Sequence, residues 1–313
     1  MLVGGILPNV VDDKELREWC HQHLEDGLGS VLFRSGHLSE VVGVQLKSGR
    51  QVVIKARPYA PRLIGCLAVQ DHLARSGFPC PAPLSGVTRL GGLAVTAETA
   101  MPGGGQWSPE RGAAPFASLL ARLIDTAPDP SRTPTLAPSP PWTGWDHPGA
   151  WLWPDADDEG RDLNALSAPT WIDEAARRVR VRLTSGRAVV RIGHGDWESQ
   201  NIAWASEAPL AVHDWDSVIA QPETSIVGLA AAVWAATGEP GGAASVAQTE
   251  EFIDSYQVAT GRPWAQSEVQ DAWAAGLWAR LFNARKDVAD GGGPQLDRLE
   301  GEVGDRLALA ALD

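Results

Sequence analysis

No apolar run in the 313 residues reaches the roughly 18 that a crossing helix needs, so no membrane span is expected. Cysteine is scarce as well. Cys20, Cys66 and Cys80 are an odd set without metal-type pairing, which argues against a disulfide framework or a zinc site. A reduced, cytoplasmic setting is the simplest compartment. The opening MLVGGILPNVVDDKE lacks a basic stretch followed by a long apolar one, so no secretory leader is expected. Positive charge is also short: 26 Lys and Arg stand against 39 Asp and Glu, a formal net charge of -13. Nucleic-acid binders carry basic patches, so no such partner is expected. No G-x-x-x-x-G-K-[ST] occurs, which excludes a P-loop enzyme. Tyrosine is nearly absent, with 2 against 14 Trp, an excess explained by coding bias or in part by a pocket lining.

What is present reads as an ordinary globular chain, 44% hydrophobic and 21% charged, long enough for two lobes. Residues 12–25 read as a short polar helix. Strands are expected over Glu40–Leu46 and Gln51–Arg57, joined by Lys47-Ser48-Gly49-Arg50 as a hairpin link. The second strand, Q-V-V-I-K-A-R, delivers Lys55. Leu63 to Arg75 follows as helix with Gly77 as its stop. Leu93–Thr99 is another strand, and Met101-Pro102-Gly103 breaks the chain after it. Phe116, Leu119, Leu120, Leu123 and Ile124 then form one helical stripe.

Residues 128–154 hold eight prolines and four tryptophans, Trp142, Trp145, Trp151 and Trp153. Proline forbids regular structure and tryptophan favours burial, so this segment is expected as a long ordered insertion. Thr170 to Asp173 reads as a capping box opening the next helix. Short strands around Val189–Ile192, Ile202–Ala205 and Leu210–His213 precede alanine-rich helix. This order predicts an α+β bilobal plan rather than an alternating parallel sheet. Its boundaries are a lobe over 1–101 and a lobe over 102–313, the latter with an insertion at about 128–160.

The segment R-I-G-H-G-D-W-E-S-Q-N fits H-x-D-x-x-x-x-N, the catalytic-loop pattern of protein kinases, with Gly195 in place of arginine. An aspartate in that pattern meets the attacking hydroxyl, and an asparagine five residues on turns back to a metal. Asp214, in A-V-H-D-W-D, stands where D-F-G carries its metal-binding aspartate. V-V-I-K matches V-A-I-K and puts Lys55 on a strand. Unlike protein kinases, the chain has no G-x-G-x-x-G loop, only Gly36 and Gly43.

On these motifs the chain resembles the aminoglycoside phosphotransferase family, small-molecule kinases with a protein-kinase-like fold. The resemblance implies a small β-rich N-terminal lobe and a larger, mostly helical C-terminal lobe. It implies ATP and Mg2+ as cofactors, with Asp196 as catalytic base, Asn201 and Asp214 as metal ligands, and Lys55 on the ATP phosphates. Glu98, Thr99 and Met101 in T-A-E-T-A-M-P-G would be the hinge that contacts adenine through backbone groups. Ser35, Gly36 and Ser39, in Ser35-Gly36-His37-Leu38-Ser39, would form the loop over the phosphates. The partner would be a small-molecule hydroxyl acceptor, an aminoglycoside-like antibiotic or a metabolite, cationic or neutral rather than anionic. The acceptor would lie beside the acidic run Asp155 to Glu159 and the insertion tryptophans. A monomer or homodimer is expected.

Two positions depart from the family pattern. Cys66 falls where a helical glutamate normally pairs with the lysine; Gln70 and Asp71, one turn on, are the candidate substitutes. Gly228-Leu229-Ala230 stands where D-L-A is frequent. The first departure motivates the rival reading of a nucleotide-binding pseudokinase with a regulatory role. Several residues carry a plain reading as well: His194 as a prop for the loop, His213 as a packed strand residue, Cys66 as a small buried hydrophobe. Asp216 is a second metal ligand or a turn cap, and Glu198 faces solvent or substrate.

Overall fold

The structure is a computed structural model describing residues 11–36, 38–186, 188–239 and 241–313. His37 and the first ten residues, on which the loop and leader expectations partly rest, lie outside the described residues. The chain divides into two compact units. One runs to Gly103 and takes in Thr133–Ala137; the other comprises Gly104–Arg132 and Pro138–Asp313.

The first unit is a five-stranded antiparallel sheet with two helices. Strands β1 (Leu28–Ser35), β2 (Glu40–Leu46), β3 (Gln51–Pro58), β4 (Thr88–Leu90) and β5 (Leu93–Thr99) lie in the order β1-β2-β3-β5-β4. The β2–β3 hairpin turns at Gly49, whose φ of 88° a side chain would oppose. One sheet face collects Val42, Val44, Leu46, Val52, Ile54, Ala56, Val95 and Ala97, and helix α1 (Asp13–His23) covers it with Leu16, Trp19 and Cys20. Alternating apolar residues with a period of two dictate that burial. Asp12 and Glu15 cap α1 reciprocally. Helix α2 (Arg62–Arg75) belongs to the other face, which carries Lys55, Arg57, Thr96 and Glu98.

Strands β1 and β4 had no counterpart in the sequence reading. In β1 the pairing register shifts twice, between Leu28 and Ser30 and between Val31 and Phe33. Those bulges destroy the alternation that would reveal a strand and leave Leu32 and Phe33 exposed.

The second unit is built on helices α3 (Ala114–Thr126), α4 (Thr170–Ser185), α5 (Glu223–Val233), α6 (Val246–Thr260), α7 (Gln266–Ala289) and α8 (Pro294–Leu309). Two short antiparallel pairs, β6 (Val190–His194) with β9 (Val218–Pro222) and β7 (Ile202–Ala205) with β8 (Ala208–Val212), sit among them. Helix α7 packs on α4, α5 and α8. It meets α5 so closely that a Cβ on Gly228 would overlap the Ala272 carbonyl, and one on Gly276 would come 2.6 Å from the Gly228 oxygen. The missing D-L-A aspartate is thereby explained: position 228 serves backbone-to-backbone helix packing.

The capping box at Thr170 is corrected. Thr170 is already helical, Pro169 precedes it without a side-chain cap bond, and the Asp173 carboxylate accepts from the Trp153 indole at 3.0 Å. The insertion is ordered by burial: Trp145 and Trp153 pack on Trp278 of α7. Both are only 1% exposed, so neither offers a face to a ligand.

Arg306 is fully buried and clips α8 to the start of α6. It bonds Glu302 at 2.8 Å and the Ala244 carbonyl at 2.8 Å. Burial pushes the Glu302 carboxyl up, but hydrogen bonds and charge from Arg306, then Arg298, outweigh it and hold it below 4.5. A lowered folded-state value means that the stabilisation is complete above 4.5 and is lost as pH falls through the folded value. Glu302→Gln leaves a buried guanidinium uncompensated and should cost about 3 kcal/mol at neutral pH. In urea titrations the gap to the wild type should close as the pH falls below the ordinary glutamate range; a gap independent of pH would refute the pairing.

Candidate active site

The central residues lie on the segment between β6 and β7 and on the one between β8 and β9. His194 ends β6 and is fully buried. Its Nδ1 accepts from the Asp196 backbone N–H at 3.2 Å, so its Nε2 carries the proton and donates to the His213 carbonyl at 3.0 Å. The imidazole props the loop, edge-on to Trp197 and Trp215.

Asn201 closes the loop on itself. Its Nδ2 donates to the Asp196 carboxylate Oδ2 at 2.8 Å and to the Asp196 carbonyl at 3.0 Å. With Nδ2 committed, Oδ1 is the amide's acceptor atom. The Asn201 carbonyl accepts from His213 N–H at 2.8 Å, which joins the two segments a second time.

Asp214 adopts the left-handed region at φ 60° and ψ 50°. Such a conformation costs a non-glycine residue about 1–2 kcal/mol, and aspartate tolerates it better than most. Ser217 holds it there, the hydroxyl donating to Oδ2 at 2.8 Å and the backbone N–H to the Asp214 carbonyl at 3.0 Å.

Negative charge is crowded here. Burial, then the charges of Glu198 and Asp214, raise the Asp196 carboxyl well above the usual aspartate range; the Asn201 hydrogen bond opposes this and Asp158 adds to it. Burial first, and Asp214 as well, push Glu198 up to about 7, against a hydrogen bond from Gln200. Glu198 was left between solvent and substrate by the sequence. It is half-buried beside the aspartates and belongs to the site. Asp158 was legible only as part of an acidic run.

That run is largely neutralised within the fold. Asp157 pairs with Arg161 at 2.8 Å, and Asp158 and Glu159 hold Lys286 at 2.6 and 2.8 Å. The picture of four free acids and four stacking tryptophans beside an acceptor is corrected accordingly. Trp145 and Trp153 are core, and the Trp142 indole donates to the Gly195 carbonyl at 2.8 Å. Only Trp151 among the four is exposed.

In the first unit Lys55 sits on β3 with its ammonium 3.7 Å from the Glu98 carboxylate. Asp71, one candidate partner, instead pairs with Arg75 at 3.1 Å. Gln70, the other, donates to Glu98 at 2.8 Å. Ser35 ends β1, and Gly36 has φ 137°, where a Cβ would overlap the Ser39 carbonyl, so only glycine fits this turn. The Thr99 N–H donates to the Ala82 carbonyl at 2.9 Å, and its hydroxyl accepts from Ala82 N–H at 2.9 Å. Met101 lies just beyond β5, partly exposed. Among the described residues no group of three or more His, Cys, Asp or Glu side chains forms a metal site by itself.

The sequence model of the phosphotransferase enzyme family matches residues 31–250, and the chain belongs to that family. Comparison with curated proteins returns no match. Among solved structures, the amicoumacin kinase hAmiN in complex with AMP-PNP, Ca2+ and Ami aligns over 96% of this chain and 91% of its own, at TM-score 0.64 and 12% identity. A thermostable mutant of the aminoglycoside phosphotransferase APH(4)-Ia, with ADP and hygromycin B, covers 95% and 98% at TM-score 0.61 and 13% identity. A choline/ethanolamine kinase family protein from Mesorhizobium loti covers 95% and 94% at TM-score 0.56 and 16% identity. The fold is the protein-kinase-like α+β fold, and the chain is a phosphotransferase of the kind that acts on small molecules.

Gly195 replaces the protein-kinase arginine for a packing reason. A Cβ there would stand 3.1 Å from Ile219 Cγ2 and the Ser217 carbonyl, and 3.2 Å from Thr143 Cγ2. Gly195→Ala should cost about 1–3 kcal/mol by overpacking, and Gly195→Arg should not fold. Thermal unfolding checks both; an arginine variant as stable as the wild type would contradict the packing.

Proposed function

We propose that the protein transfers the γ-phosphate of ATP to a hydroxyl of a small molecule, with Asp196 as the base. One observation carries the reading: the Asn201 side chain fixes the Asp196 carboxylate through Oδ2, leaving Oδ1 for an incoming hydroxyl. The acceptor oxygen would form a bond to the γ-phosphorus as the β,γ-bridging bond breaks. Its proton would pass to Asp196, and ADP would leave. The crowding that raises Asp196 favours its taking a proton. Lys55 would hold phosphate oxygens as a point charge, with the Gly36 turn over them and Met101 beside adenine. The unit ending at Gly103 would bind the nucleotide and the other unit the acceptor.

The donor set suits a hard cation. Asn201 Oδ1 and the Asp214 carboxylate would hold Mg2+ with two oxygens, leaving its other positions to water and phosphate oxygens. Bound there, Mg2+ would neutralise phosphate charge. Asp214 is oriented for this by Ser217.

The neighbours' ligands, hygromycin B and Ami, support a small-molecule acceptor. The carboxylates of Asp196, Glu198 and Asp214 favour a cationic or neutral one over an anionic one. The pseudokinase reading rests on Cys66 alone, whereas the pinned Asp196 and the Ser217-held Asp214 serve a catalyst.

Asp196→Ala should lower turnover by about 10²–10⁴-fold while ATP binding stays nearly intact, because the base meets the acceptor. Incubation with Mg·ATP and a panel of hydroxyl compounds, read by product mass, measures it. Wild-type turnover in the variant would sink the assignment, and no transfer to any acceptor by the wild type would favour the pseudokinase. Asp214→Ala should instead weaken magnesium-dependent nucleotide binding by about tenfold or more. Calorimetry with and without magnesium tests this; an unchanged metal requirement would count against it.

A further inference from the structure

Lys55 lacks the helical carboxylate expected of its pattern, yet it is only 13% exposed. A nearly buried ammonium needs a counter-charge. On α2, position 66 offers a thiol, 1% exposed. The sheet offers another solution. Strands β3 and β5 pair antiparallel with Val53 opposite Glu98 and Lys55 opposite Thr96. Side chains alternate with a period of two, so Glu98 and Lys55 share a face as diagonal neighbours. The carboxylate reaches the ammonium from the adjacent strand, at 3.7 Å, with its own side chain 9% exposed.

Glu98 is itself aimed. Gln70, 3% exposed on α2, donates one amide hydrogen to Glu98 Oε2 at 2.8 Å and the other to the Pro81 carbonyl at 2.9 Å. The Pro81 bond fixes the amide plane, and the amide then holds one carboxylate oxygen while the other faces Lys55. Gln70 lies one helical turn beyond Cys66, so the helix still contributes, but through a neutral donor. The backbone of Glu98 is engaged too, paired with Val53 on one side and bridged to Pro83 on the other.

We propose that Glu98, oriented by Gln70, positions Lys55 from strand β5, in place of a carboxylate on helix α2. The inference rests on the reading of Lys55 as a phosphate-holding lysine. It also revises the sequence expectation for Glu98, whose side chain serves the lysine. The consequence is mechanical. A carboxylate on a helix can depart when the helix shifts, whereas one on the neighbouring strand is fixed by ladder hydrogen bonds. Lys55 is therefore preset before nucleotide arrives by a carboxylate that the sheet carries, with α2 contributing only the neutral Gln70 amide.

The test uses the full-length protein with Glu98→Gln, Glu98→Asp, Lys55→Met and the double variant Glu98→Gln/Lys55→Met, each first checked for folding by thermal unfolding. Two readouts are taken. The first needs no activity: the rate at which an amine-acylating reagent labels Lys55 in nucleotide-free protein, read by peptide mass. Removing the opposing charge frees the amine, so Glu98→Gln should raise the rate roughly tenfold, with Glu98→Asp in between. The second is phosphotransfer. Glu98→Gln should lower kcat/KM for ATP about 10–100-fold with acceptor KM unchanged, and should add nothing in the Lys55→Met background, because the two residues act as one unit.

An unchanged labelling rate in Glu98→Gln would overturn the proposal, even with full turnover. So would additive losses in the double variant, which would mean that Glu98 acts independently of Lys55. If Glu98→Gln fails to fold, Glu98→Asp carries the same comparison. Raised labelling in a protein with no turnover on any acceptor would support the pairing and fail the phosphotransfer reading instead, so the two ideas fall separately.

Discussion

The imidazole of His194 ties together the two chain segments that carry the site's carboxylates. One ring nitrogen accepts from the Asp196 backbone N–H, and the other donates to the carbonyl immediately before Asp214. This fixes the tautomer and sets the separation of the two arms with one buried group. The constraint matters because the arms repel each other. The charges of Glu198 and Asp214 raise the affinity of Asp196 for protons, and that of Asp214 raises the affinity of Glu198. Such crowding persists only where covalent and hydrogen-bonded scaffolding opposes it. His194 supplies that, and the Asn201 backbone doubles it through His213. The left-handed backbone at Asp214 is a further cost of the same arrangement.

Much of this was legible in the sequence, for a physical reason. Catalytic loops need particular residue types at fixed spacing, so H-G-D-x-x-x-x-N survives as a readable string. Apolar, β-branched runs bounded by Gly and Pro breaks let β2, β3 and β5 declare themselves. What failed to show was geometry that the string does not encode. Strand β1 is bulged and half-exposed, and β4 has three residues, so neither carries a period. The capping box expected at Thr170 is a string match without the geometry, whereas Asp12 with Glu15 and Ser245 with Gln248 are real ones. Asp158 joins the Asp196 field across a chain separation no spacing rule anticipates.

The glycines that stand in place of the protein-kinase arginine and of the family's D-L-A aspartate become intelligible as packing. Gly195 is small because Ile219, Ser217 and Thr143 leave no room, and Gly228 is small because α5 and α7 meet backbone to backbone. Neither marks lost function. Cys66 is different in kind, because it removes a charge from near a buried cation, and a charge cannot be dispensed with as a methyl group can. The compensation has to be another carboxylate, and the period-two geometry of the sheet shows where one stands.

Net charge was the weakest guide. The -13 of the chain suggested an acidic wall for an acceptor, but the acids of the insertion are mostly bound to Arg161 and Lys286. Lysine itself is more informative. Only Lys14, Lys47, Lys55 and Lys286 occur among the 26 basic residues. Lys14 and Lys47 are exposed, but the other two lysines are enclosed: Lys55 beside Glu98 and Lys286 between Asp158 and Glu159, 13% and 17% exposed. A guanidinium is planar and longer, and it demands several acceptors in one plane. At 55 it would lose the point-charge geometry that suits phosphate oxygens, and at 286 it would push apart two carboxylates that one ammonium gathers. The residue choice at these two positions is therefore set by the shape of the cation rather than by its sign.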